Sequence, residues 1–307
     1  MTIVETLKWA SEKLKNETKE ASDSPMLDAQ ILLAAVLGVS TSWLFTHFDK
    51  NLEEKELDTF RQMIKRRLQN EPIAYITGEK EFYKRKFFVN QTTLIPRPAT
   101  ETLVEAAIKI TSNNRRGERP LAPTVMFADI GTGSGAIAIT LAAETDLPVI
   151  ASDINAAALV VARKNAETHG VSELVDFRQG DLLEPLTKIF QTVKKTNTEP
   201  ICDHLIICAN LPYLTSKQWA NTAPDVRIYE PKSALEAGVD GLDLYWRLIR
   251  ELKQRRDLFP AQLTLLLEID PDQKQKIASL IKRDFPLAKI VVLRDLEGFE
   301  RVVVVST

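Results

Sequence analysis

The sequence VMFADIGTGSGA at residues 125–136 combines an apolar run with a glycine-rich loop. Its first six residues have the pattern of a buried strand, and a helical pattern begins at Ala136. Between them, Gly131, Gly133 and Gly135 alternate with small residues. Glycine permits positive φ and lets a ligand approach the backbone, while the start of a helix offers unpaired N–H groups to an anion. The segment therefore predicts a strand, a ligand-binding loop and a helix in succession.

Short apolar strands alternate with helical patterns throughout the part of the chain that contains this loop. The further strand candidates are residues 149–153, 175–178, 205–208, 263–269, 290–293 and 302–305. The last two are separated by too few residues for a helical crossover, so they must pair antiparallel. The pattern predicts an α/β fold in which a seven-stranded Rossmann-like sheet ends in an antiparallel strand.

The amino-terminal part of the chain has a helical period instead. Apolar residues recur at helical spacing, as in Ile3, Leu7, Ala10 and Leu14. The pattern then turns extended at residues 75–77, 87–89 and 93–95, which predicts a β-hairpin. We therefore predict three parts, which are a helical domain at residues 1–75, a β-hairpin connector at 76–98 and the sheet domain at 99–307.

Residues that start and stop helices agree with this division. Ser24 and Pro25 predict a helix start and Gly38 its end, while Asn155 and Gly170 bracket another helix. The sheet domain should begin with a helix at residues 99–110. An exposed linker should follow at residues 111–123, where Asn, Arg, Gly and Pro residues are frequent.

Composition excludes several classes of protein. The 307 residues include 40 basic and 42 acidic side chains, and the net charge of -2 provides no global positive field to attract nucleic acid. The longest apolar stretch, residues 31–39, is far shorter than the roughly 20 residues that cross a bilayer. The two cysteines and three histidines lack metal-ligand spacing. We expect a cytoplasmic monomer with no membrane partner and no metal, and the charge disfavours a nucleic-acid substrate.

The glycine loop is compatible with two different cofactors. It satisfies the dinucleotide fingerprint G-x-G-x-x-A, with Asp153 about 20 residues on as an acceptor for ribose hydroxyls. It equally satisfies the G-x-G-x-G loop of S-adenosylmethionine-dependent methyltransferases, whose ligand presents the same ribose. Asp153 does not discriminate between the two. Asp129 before the loop and Asp181 after the third strand favour the methyl donor, because carboxylates would repel a pyrophosphate.

A tetrapeptide at the end of another strand indicates the reaction. Asn210, Leu211, Pro212 and Tyr213 follow the apolar run at 205–208, and open α/β sheets bind ligands at the carboxyl ends of their strands. A planar NH₂ group is a poor nucleophile, so it needs both N–H bonds held by acceptors. The Asn210 side chain and the Leu211 carbonyl can supply these, with Pro212 fixing the backbone and Tyr213 forming a flat wall. The motif predicts methylation of an amide or an adenine amine.

The chain resembles the HemK/PrmC-type glutamine methyltransferases of peptide chain release factors. The matching segments are SPMLDA (24–29), LGVS (37–40), EPIAYITG (71–78), LIPRP (94–98), YEP (229–231), DGLD (240–243) and LEI (267–269), followed by Gln273. The resemblance covers nearly the whole chain. It implies a class I methyltransferase sheet and methylation of the glutamine side-chain amide in the Gly-Gly-Gln loop of class 1 release factors. It also implies that S-adenosylmethionine is the methyl donor and S-adenosylhomocysteine the product.

The resemblance also implies roles for individual residues. The loop from Gly131 to Gly135, including Thr132, Gly133 and Ser134, would lie against the cofactor together with Asp129. Asp153 would hold the ribose, and Asp181 and Leu182 would border the adenine. The tetrapeptide would grip the substrate glutamine, with Asn210 also beside the cofactor. Further residues are assigned to the substrate side, namely Pro96, Arg97, Pro98 and Glu230. Glu230 would either order the loop that carries Asn210 or accept a proton, and the helical domain would recognise the protein substrate.

Departures from the family pattern leave two other functions open. Leu211 replaces the usual first proline of Asn-Pro-Pro-Tyr, and it adds an N–H that needs a partner. Ala209, Ala99 and Asp270 also differ from the residues usual at those positions. Methylation of an adenine amine in RNA or DNA is one alternative, although the acidic net charge disfavours it. A non-catalytic S-adenosylmethionine-binding module is the other.

Overall fold

The structure is a computed structural model that describes residues 1–17, 24–114, 124–196 and 200–307. The chain forms two units. The helical unit contains residues 1–79 and a second segment, 220–230, and the sheet unit contains residues 80–219 and 231–307. This division places one boundary near the predicted one at 75/76. It also assigns to the helical unit a distant segment that no local pattern predicted.

The chain is helical up to α5, and helices and strands alternate along most of the sheet unit. The helices are α1 (Ile3–Glu17), α2 (Pro25–Leu37), α3 (Thr41–Phe45), α4 (Glu54–Leu68), α5 (Ile73–Thr77), α6 (Glu101–Asn114), α7 (Ala136–Thr145), α8 (Ala156–Thr168), α9 (Glu184–Thr196), α10 (Ser216–Ala220), α11 (Pro224–Tyr229), α12 (Asp243–Gln254) and α13 (Lys274–Asp284). The strands are β1 (Glu79–Phe82), β2 (Arg85–Phe88), β3 (Val125–Ile130), β4 (Val149–Asp153), β5 (Val175–Gln179), β6 (His204–Ala209), β7 (Gln262–Glu268), β8 (Lys289–Arg294) and β9 (Glu300–Ser306).

Seven of the strands form one sheet in the order β5-β4-β3-β6-β7-β9-β8. β9 pairs antiparallel with both β7 and β8, whereas the other pairs are parallel, as the sequence predicted. Two apolar cores cover the sheet, one shared with α6, α7 and α8 and the other with α9, α12 and α13. Strands buried on both faces explain the continuous apolar runs in the sequence. The strand order reverses beside β3, which opens a crevice at the carboxyl ends of β3 and β6.

The helical unit is built around one apolar core. Ile3 and Leu7 of α1, Leu33 of α2, and Phe60 and Ile64 of α4 are buried in it. The predicted start and end of α2 are confirmed. Pro25 occupies the first turn of α2, and Gly38 ends it with φ 65°. Within this unit, the Tyr229 hydroxyl at the end of α11 donates to the Gln69 carbonyl at 2.9 Å.

The connector is not extended throughout, which corrects part of the prediction. Residues 75–77 lie in α5, which starts after Pro72 and ends at Gly78 with φ 79°. Burial of Tyr75 and Ile76 decides this, because packing overrides the strand preference of β-branched and aromatic residues. A hairpin does follow, but β1 and β2 form it. Residues 93–95 belong to neither a helix nor a strand.

The hairpin turn itself consists of Tyr83 and Lys84. Both have positive φ, 49° and 60°, as a two-residue hairpin turn with the favoured twist requires. No glycine or asparagine marks this turn in the sequence, so the pattern did not predict it.

The predicted linker after the first helix of the sheet unit is also corrected. α6 extends to Asn114, so Thr111 is helical and its side chain is buried rather than in an exposed linker. The Thr111 hydroxyl donates to the Ile108 carbonyl at 2.8 Å, which lets a polar residue continue the helix. Residues 115–123 of the predicted linker lie outside the described residues.

Within the described ranges, no helix is both long enough and apolar enough to span a bilayer.

Candidate active site

A cavity of ≈ 270 Å³ lies at the carboxyl ends of the central strands, at the crevice that the strand order creates. Eight of the residues predicted for the site line it: Gly131, Gly133, Asp153, Asp181, Leu182, Asn210, Leu211 and Pro212. Residues from two distant parts of the sequence are thus brought to one place, namely the glycine loop after β3 and the tetrapeptide after β6.

The glycine loop is folded back tightly against β4. The N–H groups of Gly131 and Thr132 both donate to the Ser152 carbonyl, at 2.8 and 2.9 Å. Gly131, Gly133 and Gly135 all have positive φ, which only glycine adopts without strain. The alternation of glycines that the sequence shows is therefore required by the turn itself.

Gly135 also lets the start of α7 pack closely against α8. A Cβ atom there would lie 2.6 Å from Ile139 Cδ1 and 3.2 Å from Ala162 Cβ. Gly133, in contrast, has open space where a Cβ would lie. The two glycines share a left-handed backbone and differ in their packing.

We expect Gly135→Ala to lower the free energy of unfolding by roughly 2 to 5 kcal/mol. The left-handed backbone accounts for about 1 to 2 kcal/mol, and overpacking for about 1 to 3 kcal/mol. Gly133→Ala is the matched control and should show only the backbone contribution. Urea unfolding of both variants measures the difference, and equal losses would show that the contact with α8 is unimportant.

The Asp153 carboxylate joins the glycine loop to the start of α8. Its Oδ2 accepts the N–H of Gly133 and its Oδ1 accepts the N–H of Asn155, both at 2.8 Å. Burial raises the pKa of the Asp153 carboxyl, while these backbone donors act in the opposite direction. Each carboxylate oxygen has a second lone pair, so the group can still accept hydroxyl donors from a ligand in the cavity.

Asp129 lies behind the loop and does not line the cavity. It is fully buried, and its Oδ2 accepts the Thr132 hydroxyl at 2.6 Å and the Ala138 N–H at 3.1 Å. Its Oδ1 has no hydrogen-bond partner among the described residues. Burial raises the pKa of this carboxyl to about 7. Asp129 is therefore placed to shape the loop rather than to contact a ligand directly.

The raised pKa of Asp129 gives a pH-dependent stability. A carboxyl whose pKa rises from 3.8 in the unfolded chain to about 7 in the folded protein binds more protons when folded. Its contribution to stability is complete below pH 3.8 and is lost as the pH rises through about 7. The isosteric variant Asp129→Asn does not titrate. We expect the unfolding free energy of the parent protein, relative to this variant, to fall across that range. Unfolding measured in urea at several pH values tests this, and a constant difference would contradict it.

Thr132, Ser134 and Gly135 support the loop without lining the cavity. The Ser134 carbonyl accepts the Asn165 side-chain amide at 2.8 Å. Asn165 is buried on α8 and exchanges two further hydrogen bonds with the backbone of Phe88, at 2.8 and 2.9 Å. It therefore connects the loop to the hairpin. The sequence contains no local signal for this role.

The Asn210 side chain is oriented by a residue far away in the chain. Its Nδ2 donates to the Thr100 hydroxyl at 3.0 Å. Because the amide nitrogen is engaged there, Oδ1 remains as the acceptor that a substrate can use. Thr100 is buried and belongs to the segment just before α6. Sequence reasoning assigned it no role in the site.

Glu268, at the end of β7, supports the other side of the tetrapeptide. It is fully buried and accepts the Tyr213 hydroxyl on Oε1 at 3.3 Å. Burial raises the pKa of Glu268 to about 6, although Thr100, Arg301, Tyr213 and Arg97 lower it. Burial also raises the pKa of Tyr213, which therefore stays protonated and able to donate. An acid at the end of an apolar strand was the signal that could have identified this residue.

The segment predicted to wall the substrate side closely follows residues that line the cavity. Residues 92–94 line the cavity, whereas Pro96, Arg97 and Pro98 do not. Glu230 is buried and belongs to the helical unit, and the residues after it, Pro231, Ser233 and Ala234, line the cavity.

The rim of the cavity is charged on one side. Asp181 forms an ion pair with Arg247 of α12, and both side chains are substantially exposed. The apolar part of the lining includes Leu182 together with Ile154, Ala158 and Leu244, which sequence reasoning did not assign to the site. In the described parts of the chain, no group of three or more His, Cys, Asp or Glu side chains could hold a metal ion.

These features fit an adenosine-bearing ligand. Asp153 offers acceptors suited to ribose hydroxyls, and the apolar residues around Leu182 and Ile154 suit a flat base. Gly133, which also lines the cavity, has open space where a Cβ would lie. The fit rests on the cavity itself and not on the loop motif alone.

Comparisons with known proteins agree with this geometry. Residues 5–78 match the family model described as PrmC N-terminal domain, and residues 123–225 match a methyltransferase domain. The release factor glutamine methyltransferase of Bacillus cereus is 34% identical over 304 residues, which are 99% of this chain and 98% of that protein. Those of Rhodopirellula baltica and Bacillus subtilis are each 35% identical over 98% of this chain and 95% and 96% of their own lengths.

A solved structure shares the fold. The catalytic domain of hMettl16, in complex with a MAT2A 3'UTR hairpin, superposes with a TM-score of 0.50 at 14% identity. The match covers 83% of this chain and 82% of that one. At this identity the likeness supports the architecture of the sheet and nothing further.

Proposed function

The chain belongs to the release factor glutamine methyltransferase family, and from this premise we propose how its site acts. The protein transfers a methyl group from S-adenosylmethionine to the side-chain amide nitrogen of the glutamine in the Gly-Gly-Gln loop of class 1 release factors. One observation carries the proposal. Asn210 and Leu211 line the same cavity as Gly131, Gly133 and Asp153.

The cofactor side of the cavity is assigned to the loop and to β4. Asp153 would accept the ribose hydroxyls, and Gly131 and Gly133 would let the cofactor approach the backbone. Leu182 and Ile154 would contact the adenine. When bound, S-adenosylmethionine supplies a methyl group activated by its positively charged sulfur.

The substrate side must overcome the weak nucleophilicity of an amide. The lone pair of the glutamine nitrogen is delocalised into the carbonyl group. Asn210 Oδ1 and the Leu211 carbonyl would each accept one N–H, which fixes the nitrogen and directs its open face to the methyl carbon. The nitrogen becomes more positive as it bonds, so these acceptors bind it more tightly in the transition state than in the ground state. Rate enhancement then comes from positioning, and the proton leaves late to water.

Recognition of the whole release factor is assigned to the helical unit. Residues 5–78 of this unit match the PrmC N-terminal domain, while the methyltransferase model matches residues 123–225, most of which belong to the sheet unit. A reaction on a release factor would take place in the cytoplasm.

Labelled methyl transfer tests the proposed function. The protein is incubated with S-adenosylmethionine carrying a labelled methyl group and with an unmethylated class 1 release factor, and the label is located by peptide mass spectrometry. We expect label on the Gly-Gly-Gln peptide and none on a release factor in which that glutamine is replaced by glutamate. An RNA and a DNA oligonucleotide serve as competing acceptors. Label on the oligonucleotides alone would reject the proposal.

A further inference from the structure

Leu211 has a backbone N–H that proline would lack, and the structure shows its partner. The N–H donates to the Tyr245 hydroxyl oxygen at 3.3 Å. The same hydroxyl donates to the main-chain carbonyl of Glu268, and it lies 3.4 Å from the Ala209 carbonyl. A side chain on α12 therefore connects the tetrapeptide to the ends of β6 and β7.

The position of the Tyr245 side chain is fixed by its burial. Its side chain is fully buried in the core that α12 shares with the sheet. Burial raises the pKa of its hydroxyl well above the ordinary value, so the group keeps its proton. The single hydroxyl proton is directed to a carbonyl oxygen, which leaves the lone pairs available for the Leu211 N–H.

This hydrogen bond restrains the backbone of Leu211 at the peptide where a proline would carry its ring. A proline ring fixes φ near -65°, whereas leucine has no such covalent restraint. The Leu211 N–H lies in the peptide plane between Asn210 and Leu211, and the direction of the Leu211 carbonyl is set relative to that plane. Since a buried N–H without a partner costs about 1 to 3 kcal/mol, the Tyr245 hydroxyl holds the plane and thereby restrains the direction of the carbonyl.

We propose that Tyr245 is a positioning residue for methyl transfer, which aims the Leu211 carbonyl at the substrate by holding the Leu211 N–H. The kinetic part of this inference rests on the proposed function, in which that carbonyl accepts one N–H of the glutamine amide. The structural part, that the hydroxyl restrains the Leu211 peptide, does not.

The test measures Tyr245→Phe in three backgrounds. These are the parent chain, Leu211→Ala, which keeps the N–H, and Leu211→Pro, which removes it. We expect Tyr245→Phe to lower kcat about tenfold or more in the first two backgrounds and less than about threefold in the third. The Kd for S-adenosylmethionine should change little with Tyr245→Phe in any background. Because each effect is a ratio within one background, the absolute rate of the Leu211 variants does not enter.

A second measurement is independent of catalysis. Amide hydrogen exchange of Leu211, in the protein without substrate, should be at least about tenfold faster in Tyr245→Phe than in the parent. If the parent fails to methylate a release factor, the proposed function fails, yet the exchange rate still tests the restraint.

Several results would overturn the inference. Equal losses of kcat in all three backgrounds would show that Tyr245 does not act through the Leu211 N–H. An unchanged exchange rate of the Leu211 amide would show that the hydroxyl does not restrain this N–H. If Tyr245→Phe does not fold in the parent chain and in Leu211→Ala, folding in Leu211→Pro supports the inference. Failure to fold in all three contradicts it.

Discussion

Replacing Asn210 with alanine is expected to lower turnover by about 100-fold or more while the affinity for S-adenosylmethionine stays near normal. The variant removes the Oδ1 acceptor, which the proposed mechanism needs most in the transition state. The Asn210 side chain donates to the Thr100 hydroxyl at 3.0 Å, and among the described residues it makes no hydrogen bond to the glycine loop. Turnover measured with labelled methyl donor, and cofactor binding measured by calorimetry, separate the two effects.

Thr100→Val is the matched control for this prediction. It keeps the Asn210 acceptor but removes the hydroxyl that orients it, so a smaller loss, about three- to tenfold, is expected. A larger loss of turnover in Asn210→Ala than in Thr100→Val would support the assignment. An unchanged rate in Asn210→Ala would show that the assignment of this residue is wrong.

Replacing Asp153 with alanine should instead weaken the cofactor. We expect a loss of about 1.5 to 3 kcal/mol in binding free energy, which is about ten- to 150-fold in Kd. The carboxylate would lose its bonds to the ribose, and the loop would lose the acceptor for the Gly133 N–H at 2.8 Å. Calorimetry with S-adenosylmethionine measures the loss directly.

Asp181→Ala provides the comparison for Asp153. Asp181 also lines the cavity, but its side chain is 40% exposed and paired with Arg247. Exposed pairs contribute little, so we expect a change in Kd of less than about threefold. Binding that is unaffected by Asp153→Ala would place the cofactor elsewhere.

Much of the fold followed from local patterns. Buried parallel strands leave continuous apolar runs, and the short separation of β8 and β9 forces an antiparallel pair. Capping residues such as Gly38 and Asn155 marked helix ends correctly, because a cap depends on the adjacent residues alone. The error at α5 has the opposite cause. Burial against other helices, which no local pattern contains, decided that conformation.

The positions of the site residues could be predicted only in part. The strand ends that carry the glycine loop and the tetrapeptide could be expected to meet, since parallel strands align their carboxyl ends at one edge of a sheet. The pattern did not reveal that residues 92–94 would line the cavity. Nor did it show that Asp129 would face the back of the loop. Both depend on how a segment crosses the sheet rather than on its residue types.

The amino-acid sequence by itself determined the alternation of strands and helices in the sheet unit and the glycine loop, and it predicted the chemistry of the Asn210 tetrapeptide, because each depends on residues adjacent in the chain. The tertiary structure alone decided which distant side chains hold that chemistry in place. Thr100 is 110 residues from Asn210, and Tyr245 is 34 residues from Leu211. Hydrogen bonds between such partners form only after packing has brought their strands and helices together, so no pattern along the chain records them.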